Sequence, residues 1–88
     1  MQDVKVSICI ACHNQANFLS EAVVSCALQD YSNIEIIILD DASTDFIQNS
    51  WVKLLPKVKM FRSEEPSVSG EAFNKSITHA TGDIIVLL

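Results

Sequence analysis

The sequence predicts an α/β fold, a Rossmann-like parallel sheet wrapped by helices, on three observations. Four short apolar segments rich in β-branched residues recur along it: Val4–Ala11, Ile34–Asp40, Val58–Phe61 and Ile84–Leu88. The stretches between them place apolar residues at three- and four-residue steps, one face of a helix. The second apolar run ends in two adjacent carboxylates, Asp40 and Asp41, followed at once by the turn and cap residues Ala42-Ser43-Thr44-Asp45. A buried parallel strand looks like such a run, and open α/β sheets bind ligands where their strands end.

The elements follow in order. After strand one, Asn14 or Asn17 can cap a helix whose inward residues are Phe18, Leu19, Ala22, Val23, Cys26 and Ala27. Asp30-Tyr31-Ser32-Asn33 breaks it before strand two. Ser43 or Thr44 can cap a short second helix carrying Ile47, Trp51 and Leu54 inward, with Pro56 closing it before strand three. The polar loop Ser63–Ser69 leads to a third helix with Phe73, Ile77 and Ala80 on one face and Gly82 as its stop. The sum is β-α-β-α-β-α-β. A last strand apolar on both faces needs cover, yet no helix follows Leu88, so residues 1–88 read as the amino-terminal part of one domain truncated after its fourth strand. Its open edge is expected to recruit other chains, giving self-association through residues 84–88.

Eighty-eight residues make at most one small domain, burying roughly 60–65% of the unfolded surface. A net charge of −5 argues against nucleic acid, which needs a basic face. The first residues have no signal-peptide layout, and no apolar run approaches the roughly 18 residues of a membrane span. The expected location is the cytoplasm, where the three cysteines stay reduced.

Cys9, Cys12 and His13 spell C-x-x-C-H, the pattern of c-type haem attachment. It lies in a β-branched strand, where Cys9 and Cys12 face opposite sides, so haem is disfavoured. A thioredoxin-like thiol pair belongs at an exposed helix start, and zinc needs a second ligand pair. Cys9 and Cys26 are better read as small core residues. His13 sits where strand one ends and can stack on a planar base, or be a plain loop histidine. His79 is expected to be solvated.

Asp40 and Asp41 point to opposite sides if the strand continues through them. One can then hydrogen-bond the loop after strand one while the other faces a ligand. A carboxylate accepts from the imide N–H of uracil, whereas the corresponding ring nitrogen of cytosine is itself an acceptor. The bland alternative makes both solvated turn residues, with Asp45 capping a helix. The Ser67–Asn74 opening of the third helix offers only a weak phosphate signal.

Four segments together resemble the amino-terminal half of a family 2 glycosyltransferase with the GT-A fold. Ser7–Asn14 resembles the opening strand and its "IPTYN" turn, and Ile34–Asp45 resembles "IEIIVVDDGSTD". Ser69–Asn74 resembles "G-x-S-x-A-R-N", and Ala80–Ile85 resembles "A-T-G-D-Y-I". The resemblance implies inverting transfer from a nucleotide-diphosphate sugar, a UDP-sugar, aided by Mg²⁺ or Mn²⁺, to an acceptor hydroxyl on a saccharide, a lipid-linked carrier or a protein. It implies nucleotide-binding roles for the turn Ala11-Cys12-His13-Asn14, with His13 in place of a stacking tyrosine. It implies the same for Asp41 as reader of the uracil edge, for its neighbour Asp40 and for Asn74. Ala11 replaces a usual proline, Cys12 a serine or threonine, and Phe73 a frequent arginine. The metal-binding D-x-D and the catalytic base of the family would lie beyond Leu88, so no catalytic or metal-binding residue is expected within these 88. The full-length protein would work in the cytoplasm or at the cytoplasmic face of a membrane.

Two rivals stand beside this reading. One is a non-catalytic nucleotide-binding or regulatory module, distinguished by the absence of a D-x-D downstream. The other is a flavodoxin- or response-regulator-like domain, which wants its acids after strand one, where Ala11-Cys12-His13 stand instead.

Overall fold

The computed structural model describes residues 4–29, 31–45, 51–68 and 70–88. Strand β1 spans Val6–Cys12, helix α1 Ala16–Ala27 and strand β2 Ile34–Asp41. A 3₁₀ turn at Trp51–Leu54 precedes β3 at Val58–Ser63, helix α2 at Glu71–Ile77 and β4 at Ile84–Leu87. All strand pairs are parallel, in the order β3-β2-β1-β4. The expected α/β sheet is present, and with it the expected succession of strands.

The registers explain which side chains are buried. β1 runs against β2 from Val6 opposite Ile34 to Cys12 opposite Asp40, and β3 joins from Ile36 opposite Val58 to Asp41 opposite Ser63. Because strand side chains alternate, Ile36 and Ile38 fall on one face with Ile8, Ile10 and Cys12. There they form one core with Leu19, Ala22, Val23 and Cys26 of α1 and with Val52 and Val58. Cys9, Ile37 and Leu39 take the other face, which α2 covers. An isoleucine run through a strand makes sense only under this two-sided cover.

The helices depart from expectation in instructive ways. Neither Asn14 nor Asn17 caps α1. Its N-cap is Gln15, and the first amide, that of Ala16, donates instead to Asp45 Oδ2 at 3.2 Å from the loop after β2. Phe18 and Ala27 are exposed, because the buried stripe is only Leu19, Ala22, Val23 and Cys26 wide. Most of the expected second helix falls on residues 46–50, outside the described residues; its described end, Trp51–Leu54, is the 3₁₀ turn, with Val52 buried while Trp51 and Leu54 face outward. Ile47 and Ser69 lie outside the described residues.

In α2 the buried residue is Ser76, Phe73 and Ala80 are half-buried, and Ile77 is exposed. Gly82 does not stop this helix, which ends at Thr78. It lets the chain pass against β1: a Cβ there would lie 2.5 Å from Ser7 Oγ and 2.9 Å from the Lys5 carbonyl. His79 is not simply solvated but stacks on Phe61, ring centroids 3.6 Å apart. The side chains of β4 are exposed throughout, on the flank of β1. Among the described residues no helix is long and apolar enough to cross a membrane.

At the amino end of the sheet, Glu35 is a carboxylate inside an isoleucine run, 3% exposed. Its Oε2 accepts from Ser7 Oγ at 2.6 Å and from the Thr81 amide at 2.6 Å, and Lys59 Nζ donates to Oε1 at 3.1 Å. Burial pushes this carboxyl up, but the Ser7, Thr81 and Lys59 donors outweigh it and hold the group at about 2. The unfolded chain therefore binds this proton more readily. Glu35 contributes its stability above about pH 4.5 and loses it as pH falls towards 2, a change of about 3 kcal/mol. Urea titrations between pH 6 and 2.5 should show this slope, and Glu35→Gln should flatten it while lowering stability at neutral pH. An unchanged slope in the variant would assign the acid sensitivity elsewhere.

Candidate functional site

The carboxyl ends of β1, β2 and β3 meet at one edge of the sheet, and there the two aspartates part company. Both belong to β2, so they face opposite sides. Asp40 turns to the α1 face and is fully buried. Arg62 Nη1 of the neighbouring strand donates to its Oδ2 at 2.7 Å, and the Ser43 amide donates to Oδ1 at 3.0 Å. The same guanidinium nitrogen reaches the Ser43 carbonyl at 3.1 Å. Asp40 thus holds β3 and the turn of its own strand. With no exposed surface, it can act on a ligand only through that turn.

The turn is strained and stitched. Ala42 adopts φ 57°, a left-handed conformation that favours glycine. Asn14, at φ 53°, reaches across from the β1 loop. Its Oδ1 accepts from the Thr44 amide at 2.7 Å, from the Thr44 hydroxyl at 3.3 Å and from the Asp45 amide at 3.2 Å. Its own amide donates to Ser43 Oγ at 2.9 Å. Asn14 is thereby the fastener between two loops, a role its exposed position in the sequence pattern did not disclose.

His13 is exposed and oriented. Its Nδ1 lies 2.6 Å from the Asp41 carbonyl, which can only accept, so Nδ1 carries the hydrogen. Nε2 is then free to accept from Asn14 Nδ2 at 3.3 Å. Ala11 is half-buried in β1. Cys12 is 3% exposed, and burial first, then the neighbouring Asp40, Asp45 and Asp41, pushes its thiol up to about 12. Cys9 and Cys26 are buried and free as well, which fits small core residues and leaves no exposed thiol pair for haem attachment.

Asp41 takes the α2 side. The Ser67 amide donates to both of its oxygens, at 3.0 and 3.1 Å, and Ser67 Oγ donates to Oδ1 at 2.7 Å. Lys75, reaching back from α2, donates to Ser67 Oγ at 2.8 Å and to Ser63 Oγ at 3.0 Å. The fold therefore gathers His13, Asn14 and Asp41 into one cluster. Asn74 lies exposed on α2 beside Lys75, and its side chain makes no hydrogen bond to that cluster. Ser67 and Lys75 are the members that sequence reasoning missed. A signal existed for the second: Lys75 is the sole cation between Arg62 and Leu88.

The described residues do not assemble a metal site. Among them no group of three His, Cys, Asp or Glu side chains converges, and Asp40, Asp41 and Asp45 are engaged by an arginine, a serine and a helix start.

The family model for glycosyl transferase family 2 matches residues 7–88, nearly the whole chain. The chain belongs to glycosyl transferase family 2. It is 36% identical over 90 residues to an uncharacterized glycosyltransferase of Nostoc sp., covering 97% of this chain and 27% of that relative. It is 34% identical over 86 residues to an uncharacterized glycosyltransferase of Haemophilus influenzae, covering 94% and 34%. The fold agrees with that of a mannosyltransferase from Pyrobaculum calidifontis solved with GDP-Man and Mn²⁺. That match has a TM-score of 0.85 and 25% identity, over 97% of this chain and 27% of that one. Staphylococcus aureus TarS, residues 1–349, matches at a TM-score of 0.85 and 26% identity over 96% and 26%. The chain thus spans about a quarter to a third of these relatives.

Relieving or cutting the stitched turn should move stability in opposite directions. Ala42→Gly is expected to raise it by up to about 1 kcal/mol, because glycine accepts a positive φ. Asn14→Ala should lower it by about 2 kcal/mol, through loss of the acceptor that three donors share and of a residue suited to left-handed backbone. Chemical denaturation checks both, and a neutral Asn14→Ala would remove its fastening role.

Proposed function

We propose that the complete protein transfers a sugar from a nucleotide-diphosphate donor, a UDP-sugar, to an acceptor hydroxyl with inversion, and that this chain supplies the face that receives the donor's base. The observation that carries the proposal is the Asp41 carboxylate at the end of β2 beside the oriented ring of His13. Among the described residues Asp41 Oδ2 accepts only the Ser67 amide and keeps a lone pair for a ligand N–H. The uracil imide N–H fits it, and the ring nitrogen of cytosine is repelled. The exposed imidazole of His13, pinned through Nδ1, can stack on the base. Ala11, Cys12 and Asn14 shape the loop under that base, Asp40 fixes the turn that carries Asp41, and Asn74 stands at the rim.

In the transfer itself, an acceptor hydroxyl attacks the anomeric carbon, its proton passes to a carboxylate base, and the nucleoside diphosphate departs with the electrons of the broken bond. On this reading that base lies outside the described residues, and so do the ligands of the Mg²⁺ or Mn²⁺ that neutralises the leaving diphosphate when bound. The 88 residues alone are then inactive, with at most millimolar UDP affinity, about −4 kcal/mol. The acceptor is a saccharide, a lipid-linked carrier or a protein, and the setting is cytoplasmic.

NMR titration tests the base-reading claim. UDP should shift the amides of His13 and Asp41 more than CDP does at equal concentration, and equal or absent shifts would remove it. The exposed apolar flank of β4 supports self-association in the isolated chain. Light scattering should find dimers or larger species that Val86→Lys disperses, whereas a monodisperse monomer of the unaltered chain would contradict this.

A further inference from the structure

Lys75 is placed to do more than tie a loop. It is half-buried, and among the described residues it has no ion-pair partner. Of its three N–H donors, two go to the hydroxyls of Ser63 and Ser67, and the third has no acceptor among the described residues. A single hydroxyl, that of Ser67, separates this ammonium from the Asp41 carboxylate. The direction of the chain is fixed, since an ammonium can only donate and a carboxylate can only accept. Lys75 donates to Ser67, and Ser67 donates to Asp41. An acceptor with a spare lone pair and a donor with a spare hydrogen therefore stand side by side at the ligand edge.

We propose that Lys75 selects the base: with Asp41 it forms an acceptor–donor pair that takes nucleobases presenting a ring N–H beside a carbonyl. Uracil and guanine present that edge. Cytosine and adenine present the reverse, a bare ring nitrogen beside an amino group, which would face the carboxylate and the ammonium with the wrong partners. The inference rests on the reading of Asp41 as the base-facing acid, and adds to it the partner that reads the carbonyl.

Metal-free NMR titrations of the chain with UDP, GDP, CDP and ADP separate the two claims, because the common diphosphate cancels in the ratios. The unaltered chain should bind UDP and GDP about tenfold more tightly than CDP and ADP. Lys75→Met should bring that preference below about threefold, Lys75→Arg should retain it, and the heteronuclear spectrum of each variant checks its fold. A preference that survives Lys75→Met but vanishes in Asp41→Asn would overturn the role of Lys75 while sparing Asp41. Uniform weakening of all four nucleotides by Lys75→Met would make Lys75 a phosphate contact and overturn its part in selection. No preference in the unaltered chain, or no binding, would overturn both.

Discussion

The carboxyl edge of the sheet hangs from one ion pair, between buried Asp40 and half-exposed Arg62. Asp40 is sealed beneath the turn it precedes, and an unpartnered carboxylate there would cost several kcal/mol. Arg62 supplies the partner, and it also holds the Ser43 carbonyl, so the β3 end and the turn after β2 move as one piece. Once Ser43 is held, its amide closes on Asp40 and its hydroxyl receives the Asn14 amide. The left-handed Ala42 and the placement of His13 against the Asp41 carbonyl follow from that closure. Together they set where Asn14, His13 and Asp41 stand at the sheet edge.

Strand β2 carries its polar residues at its two ends and on alternating faces. Glu35 and Asp41 lie on the α2 side, Asp40 on the α1 side, with the apolar run Ile36-Ile37-Ile38-Leu39 between. The same alternation that buries Asp40 brings Asp41 to the side chains of Ser67 and, through it, Lys75. Each carboxylate accepts from donors that lie far from it in sequence. Ser7, Lys59 and Thr81 serve Glu35, while Ser67 serves Asp41. A sheet this small is thus joined at both ends by polar contacts that are long-range in sequence, and its apolar middle does not have to specify register alone.

What could be foreseen followed from local chemistry. The four strands announce themselves through apolar β-branched runs, and the division of labour between Asp40 and Asp41 follows from a period of two. Around Trp51, helical spacing pointed to Trp51 and Leu54 as the inward residues, whereas the 3₁₀ turn at Trp51–Leu54 buries Val52 instead. Glu35 gave no warning, since a lone acid within isoleucines looks like an exposed position until Ser7 and Thr81 arrive from 28 and 46 residues away. His79 and Lys75 were opaque for the same reason: their partners, Phe61, Ser63 and Ser67, become neighbours only when α2 folds back over the sheet.

The strand order has a consequence for how the chain can assemble. β1 is synthesised first and stands at the centre, yet one of its two flanks is β4, whose Ile84 pairs opposite Val6. Pairing of β1 with β2, and of β2 with β3, can proceed as the polypeptide emerges, but the backbone of Val6–Cys9 keeps an unfilled side until residues 84–87 have been made. The Lys5–Asp83 contacts, with amides bonded in both directions at 3.0 and 2.7 Å, are therefore among the last to close. Until β4 arrives, β1 is an edge strand.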